Sequence, residues 1–181
     1  MTWDLTLTPA LDRPELLADP VRDALAADPA LAALVEVCTI DPELADTAEF
    51  CARYGVALAE SANCVLVSGK RGGEVRPAAA LVLADTRADV NGVLRRAMDV
   101  RKVSFAARDS ATGESGMEYG GITPIGLPPG WPVYLSAGVA SAARAVIGSG
   151  LRRSKLVVPG SALAGLPRAV ILDDLAVPVA A

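Results

Sequence analysis

The segment whose composition is best suited to chemistry is a run of ten residues, Tyr119 to Pro128, with three glycines and two prolines. Proline restricts φ and glycine permits conformations that other residues avoid, so the backbone itself sets the shape of such a loop. A loop of this kind can point several N–H groups at one spot and bind a carbonyl oxygen or an oxyanion there. The spacing alone also fits a plainer interpretation, a structural crossover between two strands.

Composition restricts the catalytic groups, because the chain contains no histidine. This excludes Ser-His-Asp catalysis, Cys-His catalysis and a histidine-ligated zinc site. Acid–base chemistry near neutral pH must then come from carboxylates, lysine, the substrate itself or water. Cys38, Cys51 and Cys64 are too irregularly spaced for a disulfide framework or a CxxC metal site, and their apolar surroundings are typical of buried thiols. We expect neither a metal nor a cofactor.

The sequence does not match the common nucleotide-binding and hydrolase motifs. Gly148-Ser149-Gly150 follows a predicted strand, but Arg153 stands where a GxGxxG motif has its third glycine. Gly69-Lys70 is followed by arginine, so it is not a P-loop, and no GxSxG nucleophile motif is present.

Charge is distributed unevenly along the chain, whose formal net charge is −4. Residues 1–60 carry 12 acidic and 3 basic side chains, whereas residues 61–181 carry 9 acidic and 14 basic ones. This asymmetry leaves room for an anionic partner on one face. Two basic clusters could be solvated surface or could face phosphates: Arg95, Arg96, Arg101 and Lys102, and Arg152, Arg153 and Lys155.

The elements that must position these residues are predicted from periodicity and caps. Pro14, Pro20 and Pro29 suit first-turn positions, so residues 1–40 are predicted to form short helices that lead into a strand at Val35–Ile40. Asp41-Pro42 predicts the start of a helix that Gly55 ends.

The clearest β signal is a pair of continuous apolar runs, Cys64–Val67 and Ala79–Leu83. With the turn around Gly69–Gly73 they predict a hairpin covered on both faces. An amphipathic helix, capped by Thr86, should follow over Val90–Ala97. Further strands are predicted at Lys102–Ala106, Val133–Leu135, Ala145–Ile147, Lys155–Val158 and Val170–Leu172, with short helices at Asp109–Ser115 and Ser161–Gly165.

These elements and the length of 181 residues predict one α+β domain with a mixed sheet and helices packed outside it. Hydrophobic residues make up 52% of the chain but aromatic residues only 4%, so the core must be aliphatic. No apolar run approaches the roughly 18 to 20 residues that span a bilayer, and no secretory signal is recognisable at the N-terminus. We therefore expect a cytoplasmic protein without a membrane partner.

The segment Gly120-Gly121-Ile122-Thr123-Pro124-Ile125-Gly126 resembles the G-G-[VI]-[ST]-P-x-G loop of the YbaK family, which includes the editing domains of bacterial prolyl-tRNA synthetases. Three more segments resemble that family in the same order: Ala62–Val67, Arg101–Phe105 and Val146–Arg153. The resemblance implies a single YbaK-like domain over residues 41–181, with a strongly curved, barrel-like mixed sheet and peripheral helices. Residues 1–40 would be an N-terminal helical extension packed on this domain.

The resemblance also implies a function, a trans-editing deacylase that hydrolyses the ester of mischarged tRNA, because nothing here resembles a synthetase catalytic core. The loop would hold the ester carbonyl beside the terminal adenosine. The implied catalytic residues are Gly120, Gly121, Ile122, Thr123, Pro124 and Asn63, and the implied substrate-binding residues are Gly148, Ser149, Gly150 and Arg152. The loop should line the principal pocket, with Asn63 and Gly150 on its walls. The expected partner is the acceptor end of an aminoacyl-tRNA.

One position departs from the family pattern. Deacylases of the family place a lysine in a K-[TS]-[LV]-[LV] strand, where this chain has Asn63-Cys64-Val65-Leu66. Asparagine can donate a hydrogen bond but carries no charge. Lys70, the nearest lysine along the chain, falls in the predicted hairpin turn. The alternatives are therefore a non-catalytic binder of aminoacyl-tRNA or a related small ligand, and a protein-interaction domain that keeps only the scaffold.

Overall fold

The computed structural model describes residues 3–179, and within this range eleven strands form three open sheets. The α+β class is confirmed. The predicted single, strongly curved, barrel-like sheet is wrong, because the strands divide among sheets that do not close. The strands are β1 (Thr8–Pro9), β2 (Glu36–Thr39), β3 (Ala62–Arg71), β4 (Glu74–Leu83), β5 (Thr86–Ala88), β6 (Val103–Phe105), β7 (Val133–Ser136), β8 (Ala145–Gly148), β9 (Ser154–Val158), β10 (Ala169–Leu172) and β11 (Ala176–Pro178).

The five-stranded sheet has the order β10-β7-β4-β3-β6 and is built around the predicted hairpin. β3 and β4 pair antiparallel from Ala62–Leu83 to Arg71–Glu74. Gly72 and Gly73 make the two-residue turn, with φ of 57° and 86°, which suits the tight hairpin turns that favour glycine. β7 runs parallel to both β4 and β10, so the sheet is mixed as predicted.

Both faces of this hairpin are covered, which explains its continuous apolar sequence. Leu66 and Leu81 face a first core shared with the four-stranded sheet, whereas Val67 and Val82 face a second core under the other side.

The four-stranded sheet has the order β1-β2-β9-β8, with antiparallel neighbours throughout. An isolated parallel bridge between Ser61 and Val146 connects the beginning of β3 to β8. The two larger sheets therefore meet where β3 starts alongside β8. The third sheet pairs β5 with β11.

The helices are short and flank the sheets, and they are α1 (Asp19–Ala27), α2 (Pro29–Ala32), α3 (Thr47–Tyr54), α4 (Arg95–Ala97), α5 (Arg108–Ser115), α6 (Ala137–Ser141) and α7 (Gly160–Ala164). Pro14, Pro20 and Pro29 each occupy a first helical turn, which confirms that prediction. None of the helices in residues 3–179 is both long and apolar enough to cross a membrane.

The helix predicted over Val90–Ala97 exists, as a π-helical turn, Val90–Leu94, that continues into α4. Its predicted cap is wrong. Thr86 lies in β5, and the carboxylate of Asp89 instead accepts hydrogen bonds from the N–H groups of Gly92 and Val93, at 2.9 and 3.1 Å. Pairing of β5 with β11 holds Thr86 in extended conformation, so the next capping residue takes the role.

The helix predicted from Pro42 is broken into two pieces, a 3₁₀ turn at Pro42–Leu44 and α3. Between them lies Ala45, which is buried. α3 ends at Gly55, which has a φ of 68°, as its position predicted. The break matters because the segment Ala45–Thr47 forms one wall of the site described below.

Residues 1–40 contribute β1 and β2 to the four-stranded sheet, and Val21 and Leu25 of α1 lie in the first core. The division of the chain at residue 40 stays a prediction.

Candidate active site

A cleft of about 510 Å³ lies where the two larger sheets meet. Two residues beyond the Ser61–Val146 bridge are Asn63 on β3 and Gly148 on β8. Gly148 is paired in turn with Lys155 on β9. Asn63, Gly148 and Lys155 thus follow one another across three strands, and all three line the cleft.

The glycine loop is locked against the end of β8. The carbonyl of Gly121 accepts a hydrogen bond from the Gly150 N–H at 2.7 Å, and the Glu118 N–H donates to the Gly150 carbonyl at 2.8 Å. A Cβ on Gly148 would clash with the carbonyl oxygens of Gly121 and Ile122. A Cβ on Gly121 would lie 2.6 Å from the carbonyl carbon of Leu151. Both positions therefore need glycine because two backbones touch there.

The N–H groups of the loop divide into occupied and available donors. Gly121 donates to the Glu118 carbonyl at 3.0 Å, and Thr123 donates to the sulfur of Met117 at 3.4 Å. The N–H groups of Gly120 and Ile122 find no acceptor within residues 3–179, and both residues line the cleft. These two N–H groups, and that of Tyr119 before them, are thus left for a ligand, and the occupied Gly121 interrupts the series that the sequence allowed.

Four of the ten residues predicted for the site line the cleft, namely Asn63, Gly120, Ile122 and Gly148. The other predicted residues lie behind or beside it. Thr123 is fully buried and its hydroxyl has no partner in the described structure. Pro124 lines a separate, mostly apolar pocket of about 320 Å³.

Ser149 and Gly150 hold the loop from behind. Ser149 Oγ lies 2.7 Å from Ser154 Oγ in a buried contact. Gly150 is not part of the cleft wall, because it packs against Ala18 and Val21. The catalytic and substrate-binding roles of the ten residues stay predictions, and the structure separates cleft-lining residues from supporting ones.

Asn63 is oriented by its neighbour across the cleft floor. The hydroxyl of Thr47 donates to Asn63 Oδ1 at 2.7 Å. Because the oxygen is occupied, the amide NH₂ is the end that remains for a ligand, and it has no acceptor among residues 3–179.

Lys155, which the sequence analysis placed only in a basic cluster, is the residue whose position in the cleft was not predicted. Its Nζ donates to the Ala45 carbonyl at 3.0 Å and lies 5.4 Å from the centre of the Phe50 ring. The residue is only 9% exposed, and no carboxylate in residues 3–179 forms an ion pair with it. Burial lowers the pKa of Lys155, since removal from water disfavours the charged form. The one signal available in the sequence was a lysine directly before three apolar residues, Leu156–Val158, in a predicted strand.

Arg152 lies on the rim and connects the two walls. Its Nε donates to the Pro42 carbonyl at 2.9 Å and its Nη1 to Asp46 Oδ1 at 3.2 Å. The same guanidinium lies against Gly120, where a Cβ would clash with it. Two of its five N–H donors are therefore used within the chain, and three remain.

Aromatic side chains mark the mouth of the cleft. Phe105 is 63% exposed and Tyr119 is 52% exposed. The guanidinium of Arg108 lies 4.5 Å from the centre of the Tyr119 ring. Within residues 3–179 these are the two large exposed aromatic rings, and both line this cleft.

Cys64 lines the cleft but is a poor nucleophile. Burial raises the pKa of its thiol to about 12, so the thiolate is scarce at neutral pH. No cluster of three or more potential metal ligands occurs in the described part of the chain.

A second charged region lies at the end of the β3–β4 hairpin, where Lys70, Arg71, Arg95, Arg96 and Arg101 surround a hollow of about 850 Å³. We call it the hairpin-end basic surface. β6 connects it to the cleft, since Val103 pairs with Gly69 near the surface and Phe105 pairs with Val67 near the cleft.

Solved structures share this fold at low sequence identity. A proposed trans-editing enzyme for prolyl-tRNA synthetase is 20% identical, with a TM-score of 0.73 over 86% of this chain and 94% of that chain. A scaffold protein used in computational epitope grafting is also 20% identical, with a TM-score of 0.73 over 86% of this chain and 95% of that one. A hypothetical protein reaches 0.72 at 21% identity, covering 86% and 98% of the two chains.

The fold is an α+β domain with a cleft between two sheets. The sequence profile of the aminoacyl-tRNA editing domain matches residues 41–166. The chain belongs to this family, and the resemblance identified from the glycine loop is confirmed. No functionally curated protein matches the chain.

Proposed function

We propose that the protein is a trans-editing aminoacyl-tRNA deacylase, which hydrolyses the ester between a wrongly attached amino acid and the terminal ribose of tRNA. One observation carries the proposal. The cleft is lined by donors without acceptors in the described chain, the N–H groups of Gly120 and Ile122 and the amide of Asn63. Such a site suits an oxygen on which negative charge develops.

Hydrolysis would proceed by addition of water to the ester carbonyl carbon. The carbonyl oxygen becomes negatively charged in the tetrahedral intermediate, and the Gly120 and Ile122 donors would stabilise it. The carbon–oxygen bond to the ribose then breaks, and the ribose oxygen takes up a proton equivalent to the one lost by water. The chain has no histidine, so this transfer would use water or the neighbouring ribose hydroxyl. Loss of one such donor typically costs about 3 to 4 kcal/mol.

The mouth of the cleft fits the terminal adenosine. Exposed aromatic rings stack on nucleobases, and each stacked base is worth about 1–3 kcal/mol. Phe105 and Tyr119 would provide such stacking, and their exposure and the Arg108 guanidinium over the Tyr119 ring support this proposal. Arg152, with its remaining donors on the rim, is proposed to contact the substrate there.

The preceding phosphates would follow β6 toward the hairpin-end basic surface. Phe105 lies four positions after Arg101, no more than about 14 Å along an extended chain. A nucleic acid strand whose last base lies on Phe105 would therefore pass close to this surface. Contacts of this kind add affinity that weakens with salt.

A non-catalytic binder is the second candidate, and it is favoured by Asn63 at the position of the family lysine. Binding of a mischarged tRNA without turnover would identify it. Binding of neither charged nor uncharged tRNA would favour the protein-interaction scaffold.

The test is hydrolysis of a panel of mischarged tRNAs, with Gly121→Val as the inactive variant and Gly113→Val as its matched control. A side chain on Gly121 would enter the Leu151 backbone, whereas Gly113 has open space around it. We expect at least one substrate to be hydrolysed, with a loss of roughly a hundredfold or more in Gly121→Val and little change in Gly113→Val. Tight binding with no turnover of any substrate would overturn the deacylase proposal.

A further inference from the structure

Burial of the Lys155 ammonium destabilises the folded protein. A buried ammonium without a carboxylate partner costs several kcal/mol in general, and an apolar residue of similar volume usually packs at least as well. One carbonyl, Ala45, and the face of Phe50 are its described partners. Stability therefore gives no reason for a lysine here, whereas a position in the cleft wall does.

The neighbouring strands place Lys155 opposite Asn63. Gly148 lies between them and has no side chain, so nothing on β8 separates the two on the cleft face. Two strand spacings put their Cα atoms about 10 Å apart. The loop carbonyl oxygens of Gly121 and Ile122 fill the space directly over Gly148. An atom that the lysine and asparagine side chains both reach would therefore lie beyond these oxygens, in the open cleft that both residues line.

One short segment orients both side chains. The Ala45 carbonyl accepts from Lys155, and two residues later the Thr47 hydroxyl donates to Asn63. The hydrogen bond to Ala45 uses one of the three N–H donors of the ammonium and leaves two for a ligand.

We propose that Lys155, reaching the cleft from β9, supplies the positive charge that Asn63 on β3 cannot, and donates a hydrogen bond to the ester oxygen as it becomes negative. This inference rests on the proposed deacylase function and adds a catalytic residue to it. Charge-assisted hydrogen bonds are roughly twice as strong as neutral ones, so the charge should act mainly on the transition state.

The pH dependence follows from the direction of the pKa shift. Only the ammonium can donate in this way, so turnover should be full below the pKa of Lys155 and should fall as pH rises through it. Because burial lowers that pKa, the fall should begin below the pH at which an exposed lysine titrates. Spontaneous ester hydrolysis in base has to be subtracted.

The test compares Lys155→Met and Lys155→Arg with Arg144→Met, which removes an exposed cation beside Trp3, away from the cleft. We expect kcat for mischarged tRNA to fall roughly a hundredfold in Lys155→Met with KM changed less than about threefold. Lys155→Arg should recover part of the loss, and its alkaline fall should disappear because arginine does not titrate there. Arg144→Met should match the unmodified protein. Lys155→Met should melt at the same or a higher temperature, which separates the loss of a catalytic group from unfolding.

A second measurement distinguishes failure of this inference from failure of the proposed function. The chain has three lysines, Lys70, Lys102 and Lys155, so ¹³C/¹⁵N-lysine labelling yields three side-chain NMR signals. The probe is 3′-alanylamino-3′-deoxyadenosine, whose amide resists hydrolysis. A shift of the Lys155 signal, assigned by its loss in Lys155→Met, supports contact with substrate even if no tRNA is hydrolysed. An unshifted Lys155 signal at saturating probe, or a kcat of Lys155→Met within about threefold of that of the unmodified protein, would overturn the inference. The proposed deacylase function would then still be decided by hydrolysis of the mischarged tRNAs.

Discussion

The two basic regions of this protein differ in what their cations contact. In the segment beside the cleft, Arg152 bonds to Pro42 and Asp46, Arg153 donates to the Glu15 carbonyl at 2.7 Å, and Lys155 bonds to Ala45. On the hairpin-end basic surface, Arg71 pairs with Asp99 and Arg95 donates to the Asn91 carbonyl at 2.9 Å. Lys70, Arg96 and Arg101 have no partner among residues 3–179.

The difference shows that similar runs of positive charge make different contacts in the folded chain. The cleft-side cations connect β9 and its approach to the acidic first third of the chain, and so help to shape the site. Three of the hairpin-end cations, Lys70, Arg96 and Arg101, have no described partner and are free to meet an external anion. The first region should therefore affect stability and turnover, and the second should affect salt-dependent binding.

The largest effect should come from Gly148→Ala, which tests how tightly the cleft side is built. The new Cβ would clash with two loop carbonyls, so the loop must move away from β8. We expect deacylation to fall roughly a hundredfold and the free energy of unfolding to fall by about 1–3 kcal/mol. Denaturant unfolding and turnover measure this. Gly113→Ala is the control, and full activity in Gly148→Ala would show that the contact between loop and strand is unimportant.

A smaller effect, limited to binding, should follow from the triple variant Lys70→Gln, Arg96→Gln, Arg101→Gln. The slope of log affinity against log salt should flatten by about 0.7 to 0.9 for each phosphate that the protein no longer neutralises, so by up to about 3. Stability should stay within about 0.5 kcal/mol, because these side chains have no described partner within the chain. Filter binding of tRNA over a series of salt concentrations measures this slope. An unchanged slope would make this surface ordinary solvated charge.

The smallest effect should be that of Arg152→Gln, which should lower both the stability of the protein and the salt dependence of binding. Removing the hydrogen bonds to Pro42 and Asp46, which are partly exposed, should cost about 1 kcal/mol of stability. If Arg152 neutralises one phosphate, its removal would flatten the salt slope by about one unit. If stability falls while the slope is unchanged, Arg152 only positions the rim and its proposed contact with substrate is wrong.

Local chemistry in the sequence was sufficient for much of the fold. The hairpin followed from two apolar runs and a glycine turn, and the short N-terminal helices followed from prolines in their first turns. The glycine loop was recognisable because its conformation depends on the backbone properties of its own glycines and prolines. Thr86 and Asp89 are three positions apart and both are good caps, so only the pairing of β5 with β11 decided between them.

The division between sequence and tertiary structure is clearest at the cleft itself. The sequence alone excluded histidine, predicted that Gly120 and Ile122 belong to a loop shaped by its backbone, and, through the family resemblance, predicted Asn63 at the position of the family lysine. It could not reveal that Lys155 lies opposite Asn63, since 92 positions separate them and nothing local couples β3 to β9. That proximity arises from two non-local pairings, Ser61 with Val146 and Gly148 with Lys155. Strand pairing across sheets is set by the packing of the whole core, and so the neighbour of Asn63 is a property of the folded protein.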